Sequence, residues 1–165
     1  MWTTSYWAAS LLIIVSAAKH ASGESTVDRV IINKAKRELL LMHADKAVKS
    51  YRVALGRNPV GPKTKQGDGK TPEGVYSISG RNASSAFHRA LRVSYPNSAD
   101  RAQAKRLGVA PGGDIMIHGL PNGQGYIGKV HLQTDWTEGC IAVTNAEIEE
   151  IWGLVRDGTK VEINP

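Results

Sequence analysis

From residue 28 onward the apolar residues of this chain arrive in runs of about five to eight, each cut by glycine, proline, asparagine or aspartate, the rhythm of strands joined by tight turns. Residues 28–33 (DRVIIN), 36–43 (KRELLLMH) and 48–55 (VKSYRVAL) follow one another closely, and Ala44-Asp45-Lys46 reads as a hairpin turn. They are expected to form an antiparallel meander, the third run alternating apolar and polar as a half-buried strand does. Residues 71–79, 90–95, 114–118 and 160–163 add further strands. The 17 glycines suit such turns better than a helical bundle. Two segments carry helical marks. Residues 99–107 follow Asn97 and Ser98, either of which can cap, and stop at Gly108. Residues 146–155 follow Thr144 and Asn145 and place Ile148, Ile151, Trp152 and Val155 on one face. Glu147, Glu149 and Glu150 lie where a helix dipole favours acid. Asn145 is read as a cap rather than a substrate ligand. The expected fold is mostly β: a β-sandwich-like domain with seven or more strands and two peripheral helices.

Residues 1–23 stand apart from this pattern. An apolar run from Trp7 to Ala18 is short for a bilayer span but long enough for an export signal, and small residues follow it. No Lys or Arg precedes the run, so an uncleaved anchor is the other reading. Residues 1–23 are therefore expected to be a signal peptide or N-terminal anchor, and residues 24–165 an exported domain working in the periplasm or cell envelope. The net charge is +6, yet the basic residues are spread out and not interleaved with stacking aromatics. That argues against nucleic acid as a partner. Arg57, Lys63 and Lys65 are read as a solvated basic loop within residues 56–70, with contacts to ligand carboxylates as the other reading.

One cysteine excludes an internal disulfide, and a lone thiol in an exported protein is exposed to oxidation. Its neighbours bear on why it is there. Cys140 follows Gly139 at the head of an apolar run, and His118 precedes Gly119 at the end of another. A nucleophilic thiol needs a base, open space for a carbonyl, and backbone N–H groups for an oxyanion. His118 can supply the base, Gly139 the space, and the amides of residues 138–140 the donors. The residues alone leave His131, nine positions before the cysteine, as a competing base. Trp136 either stacks on substrate or packs beneath the loop. Thr137 either bonds within the site or closes its turn. No histidine or cysteine spacing suggests a metal site, and no cofactor is expected.

The two segments resemble the YkuD-type L,D-transpeptidase catalytic domain, which pairs a histidine with a downstream (Ser/Thr)-x-Gly-Cys element. The matching residues are His118-Gly119 and Thr137-Glu138-Gly139-Cys140, and Lys70-Thr71-Pro72-Glu73-Gly74-Val75-Tyr76 is similar to that family's Thr-Pro-x-Gly-x-Tyr strand entry. The segment DWTEGCIAVTNAEIEEIW is most similar to the YafK-like branch. The resemblance implies Cys140 as nucleophile and His118 as base; Gly119, Trp136, Thr137, Glu138 and Gly139, which surround them in these segments, are the residues expected to position substrate or oxyanion. It implies attack on a peptidoglycan stem-peptide amide at meso-diaminopimelate and transfer of the acyl group to an amine. The product is a 3→3 cross-link or an attached lipoprotein, made by a monomeric enzyme. A cysteine amidase cutting the same bond and a non-catalytic wall-binding module are the alternatives. Two positions depart from the pattern: Glu138, where many members have His, and Ala142, where many have Arg or Asn. A carboxylate at 138 is expected to oppose thiolate formation.

Overall fold

The computed structural model describes residues 27–165; the expected signal or anchor at 1–23 lies outside them. Eight strands form one mixed sheet in the order β3-β2-β1-β8-β4-β5-β6-β7. Strands β1 (Arg29–Asn33), β2 (Glu38–His43) and β3 (Lys46–Arg52) make the expected meander. Ala44 and Asp45 both have positive φ, at 45° and 63°, the backbone twist that two-residue hairpin turns require. Alternation places Val30, Ile32, Leu39 and Leu41 in the core without exposure.

The sheet is mixed: β1 pairs in parallel with β8 (Lys160–Asn164) and β6 (Met116–His118) in parallel with β7 (Ile141–Ala142). One expectation needs correction: β3 is not half-buried. It is an edge strand exposed from Lys46 to Ser50, and burial begins at Tyr51 and continues through Val53, Ala54 and Leu55 beyond the strand's end. Its lysines suit an open edge, where charge discourages pairing with other chains.

The strand begun by the Thr-Pro-Glu-Gly segment is longer than residues 71–79. β4 runs Gly74–Ser85 with irregularities at Ile78/Gly80 and Asn82/Ser85. Its first part pairs with β8 and its second with β5 (His88–Val93), so the sheet turns about β4 into two halves. Helix α1 (Ser98–Arg106) is capped by Asn97, whose side chain accepts from Ala99 and Asp100. Helix α2 (Asn145–Leu154) is capped by Thr144 in a reciprocal box with Glu147. It buries Ile148 and Ile151 against β5 and β6. A third helical stretch, the 3-10 segment Gly125–Gln133 kinked at Gly128, fills the connection between β6 and β7. Its glycines read as turn residues and hid it in the sequence.

Candidate active site

The cysteine loop is held from behind by groups far away in sequence. Arg37 grips Asp135 through Nε and Nη2 at 3.0 and 2.8 Å to Oδ2. The other Asp135 oxygen accepts the Leu55 amide at 2.9 Å. Thr137, 5% exposed, donates its hydroxyl to the Cys140 carbonyl at 2.7 Å and accepts the Gly139 amide at 3.1 Å, closing the Thr-Glu-Gly-Cys turn. Gly139 sits at φ 131°, and a Cβ there would come 2.5 Å from the Lys70 carbonyl oxygen. Only glycine fits both constraints.

The Thr-Pro-Glu-Gly segment is the support on which this loop rests. Thr71, without exposure, accepts the Gly56 amide on its hydroxyl, and the Lys34 ammonium donates to the Thr71 carbonyl and to Glu73. Residues 56–70 are equally ordered by contacts. Asp68 accepts from Lys63 Nζ and from the amides of Thr64, Lys65 and Lys70. Burial acts to raise the Asp68 carboxyl, but these four donors outweigh it and hold the group at about 2. Lys63 is therefore buried and ion-paired, not solvated as its sequence context suggested.

His118 ends β6, and its backbone carbonyl takes the Val143 amide, so the strand pairing fixes it beside β7 and the cysteine that precedes β7. Its Nδ1 lies 2.7 Å from the Gly119 carbonyl oxygen. A carbonyl only accepts, so Nδ1 carries the hydrogen and Nε2 keeps a lone pair. The ring is buried, packed 4.6 Å from Phe87 and 5.9 Å from Trp136 between centroids. Gly119 permits the tight approach of α2: a Cβ there would lie 2.7 Å from Asn145 Oδ1, which accepts the Leu120 amide. Asn145 is thus a tether between α2 and the histidine strand, and the helix cap is Thr144.

Cys140 is half-buried, with Sγ 3.4 Å from the Asp114 carbonyl. Together with His118, Phe87, Met116, Trp136 and Glu138 it lines a hollow of about 510 Å3. Burial raises the thiol above its ordinary 9.0, a backbone hydrogen bond at Met116 opposes this, and the Asp114 carboxylate adds to it. Burial likewise lowers His118 below 6.5. At rest the site therefore favours a protonated thiol beside a neutral imidazole. The carboxylate bearing on the sulfur is Asp114. Glu138 is 65% exposed and paired with Arg57, which corrects the expected effect of that departure.

His131 is not brought to the sulfur's hollow. It lies behind Trp136, which donates its indole N–H to His131 Nδ1 at 3.2 Å. Trp136 lines the cysteine hollow on one side and a second hollow with His131 on the other, so it both walls the site and packs under the loop. Sequence reasoning missed Phe87, Asp114, Arg37 and Asp135. The one phenylalanine of the chain was a signal for the first; nothing local marked the others.

Compared with known proteins, residues 27–163 match the model of the YkuD L,D-transpeptidase catalytic domain. The chain belongs to the YkuD family. It is 35% identical to YafK of Escherichia coli (strain K12) over 109 residues, 64% of this chain and 36% of that protein. It is 28% identical to YqjB of Bacillus subtilis (strain 168) over 137 residues, 81% of this chain and 69% of that one. Among solved structures it is similar to Pgp2, the helical cell shape determining protein of Campylobacter jejuni. There the TM-score is 0.65 at 28% identity, over 83% of this chain and 47% of the other. The chain thus spans about a third of YafK and just under half of Pgp2. The mostly β YkuD fold is the one expected from the motifs; the 3-10 segment adds a third helical stretch to the two expected, among the described residues.

Proposed function

We propose that this YkuD-family chain is a peptidoglycan L,D-transpeptidase of the cell envelope, with Cys140 as nucleophile and His118 as general base. Residues 24–165 form the catalytic domain, and residues 1–23 direct or anchor it for export. The observation that carries the reading is the fixed tautomer of His118: Gly119 holds the proton on Nδ1, which leaves Nε2 as the basic atom in a site that also holds the lone thiol.

The steps follow from the neutral resting pair. His118 Nε2 takes the thiol proton as the sulfur attacks the stem-peptide carbonyl at meso-diaminopimelate. The Gly139 amide is engaged by Thr137, so the oxyanion falls to the amides of Glu138 and Cys140. The C–N bond breaks as the imidazolium gives its proton to the leaving amine, and an acyl-thioester remains on Cys140. A second amine attacks the thioester and gives a proton to His118 Nε2, the C–S bond breaks, and His118 passes that proton to the sulfur. Thr137, Gly119 and Gly139 hold the geometry, and Trp136 shapes the donor's path. The substrate is peptidoglycan, with a wall-attached lipoprotein as the other acceptor class. The likeness to Pgp2 fits a role in cell-wall shape.

Purified protein incubated with sacculi tests this by mass spectrometry of muropeptides and of the protein. New cross-links with a thioester at Cys140 support the proposal. Released peptide without cross-links makes the protein a cysteine amidase. Sacculus binding that survives Cys140→Ala, with no thioester under any condition, makes it a wall-binding module.

A further inference from the structure

A third hollow of about 390 Å3 adjoins the cysteine hollow and is lined by Lys63, Gln66, Gly112, Asp114 and Glu138. Asp114 and Glu138 line both hollows. The two differ in chemistry: one is walled by Phe87, Met116 and Trp136, the other by charged and amide side chains. The Lys63 charge is already taken by Asp68 and is 4% exposed. The accessible charges at this hollow are Asp114, 79% exposed with Arg92 3.9 Å away, and Glu138 with its partner Arg57, 65% and 57% exposed.

This pair is built rather than incidental. Gly56 and Thr137 form a parallel bridge, and the Arg57 amide donates to the Thr137 carbonyl at 2.9 Å. That register sets Arg57 beside Glu138, two residues before the sulfur. The Arg57 stem lies over Gly69, where an added Cβ would come 2.7 Å from Arg57 Cγ. A guanidinium and a carboxylate therefore stand side by side, and the carboxylate lines the polar hollow. An exposed ion pair adds little to stability and opens readily to a ligand that offers both charges in return. A guanidinium takes a carboxylate through two parallel hydrogen bonds, and a carboxylate takes an ammonium.

We propose, building on the transpeptidase reading, that Arg57 and Glu138 select the acyl acceptor as the amine of an α-amino carboxylate. The ligand's carboxylate meets Arg57 and its ammonium meets Glu138. A diaminopimelate end carries amine and carboxylate on one carbon, whereas a lysine side-chain amine has no carboxylate beside it. The pair therefore favours stem-to-stem cross-linking over lipoprotein attachment. After the ammonium gives one proton to water, its nitrogen bonds to the thioester carbon and the C–S bond breaks. The second proton passes through His118 Nε2 to the sulfur.

The test uses the full chain, a tetrapeptide stem as donor, and two acceptors at equal free-base concentration: glycine and methylamine. Mass spectrometry reads the ratio of glycine to methylamine product. In the unaltered chain the ratio is expected to be at least tenfold. It should fall to near one in Arg57→Gln. In Glu138→Gln both products should decrease while the ratio stays above tenfold, because both acceptors carry an ammonium. A merely structural pair would move both variants and both acceptors alike. A ratio near one in the unaltered chain, or an unchanged ratio in Arg57→Gln, overturns the proposal. Absence of any thioester at Cys140 would instead remove the transpeptidase reading on which it rests.

Discussion

Two buried histidines flank Trp136, and they differ in the one property that decides whether a histidine can act as a base. His118, on the strand side, gives its Nδ1 hydrogen to the Gly119 carbonyl and keeps a lone pair on Nε2. His131, on the 3-10 segment, accepts the indole hydrogen of Trp136 on Nδ1. Its own hydrogen must then sit on Nε2, which is buried without a partner. Burial lowers both imidazoles below 6.5, so neither shift distinguishes them. The hydrogen-bond partner does. A carbonyl makes its histidine a base; an indole N–H makes its histidine a donor.

The largest expected break in this comparison is kinetic. His118→Ala should slow carbapenem acylation of Cys140 by about a hundredfold or more, the scale of a lost general base. His131→Ala should slow it less than tenfold. Adduct mass followed against time decides between them, and equal losses would show that tautomer is not the distinction.

Next comes the frame that both histidines depend on. Asp135→Ala strips Arg37 of its partner and leaves the Leu55 amide unmatched, which should cost about 1–3 kcal/mol in a urea titration. Arg37 is about a third exposed, so the amide accounts for most of that loss. If Asp135→Asn, which retains an oxygen for Leu55, is as unstable as the alanine variant, the ion pair matters more than the amide.

The pH dependence sharpens the same contrast. In the proposed mechanism acylation requires neutral His118, so its rate should be level above pH 6.5. It should begin to fall only below that value, approaching tenfold per unit once the lowered value is passed. Stability should decline over the same acid range. Below 6.5 the unfolded chain binds protons at both histidines before the folded chain does, so stability present above 6.5 is lost as pH falls. Urea midpoints from pH 7.5 to 5 test this, and a midpoint that rises on acidification would contradict it.

The smallest effect is at the dividing wall. Trp136→Phe keeps an aromatic ring but removes the hydrogen bond to His131, for about 1 kcal/mol of stability. His131 then has no donor fixing its tautomer. The nitrogen resonances of His131 should report a changed tautomer in that variant, while His118, still held by the Gly119 carbonyl, should keep its hydrogen on Nδ1.

Much of this arrangement is legible in the sequence, where the signal is local. Asn97 and Thr144 announce their helices because a cap acts within three residues. His118, Gly139 and Cys140 stand out because a small residue beside a reactive one reveals a close approach. The parallel pairing of β1 with β8 was not legible, since nothing in residues 29–33 identifies a partner 131 residues later. Arg37 and Asp135 are 98 residues apart and each looks like ordinary surface charge. Asp68 was not singled out in its solvated loop, because its four donors are visible only once the loop has closed on it. The His118–His131 distinction was also hidden: it rests on which atom each ring nitrogen faces.

The protonated resting state of Cys140 has a consequence for how the protein meets reactive chemicals. Peroxide, oxidised small thiols and simple alkylating agents attack thiolates, and a sulfur raised above 9.0 by burial presents almost none at neutral pH. Under the proposed function, such a sulfur would be armed by the arrival of a ligand rather than by its own acidity. It should survive oxidising surroundings that would consume a permanently activated thiol. For the same reason a covalent inhibitor of this site has to be recognised before it can react, and potency should follow the fit of its scaffold rather than the reactivity of its warhead.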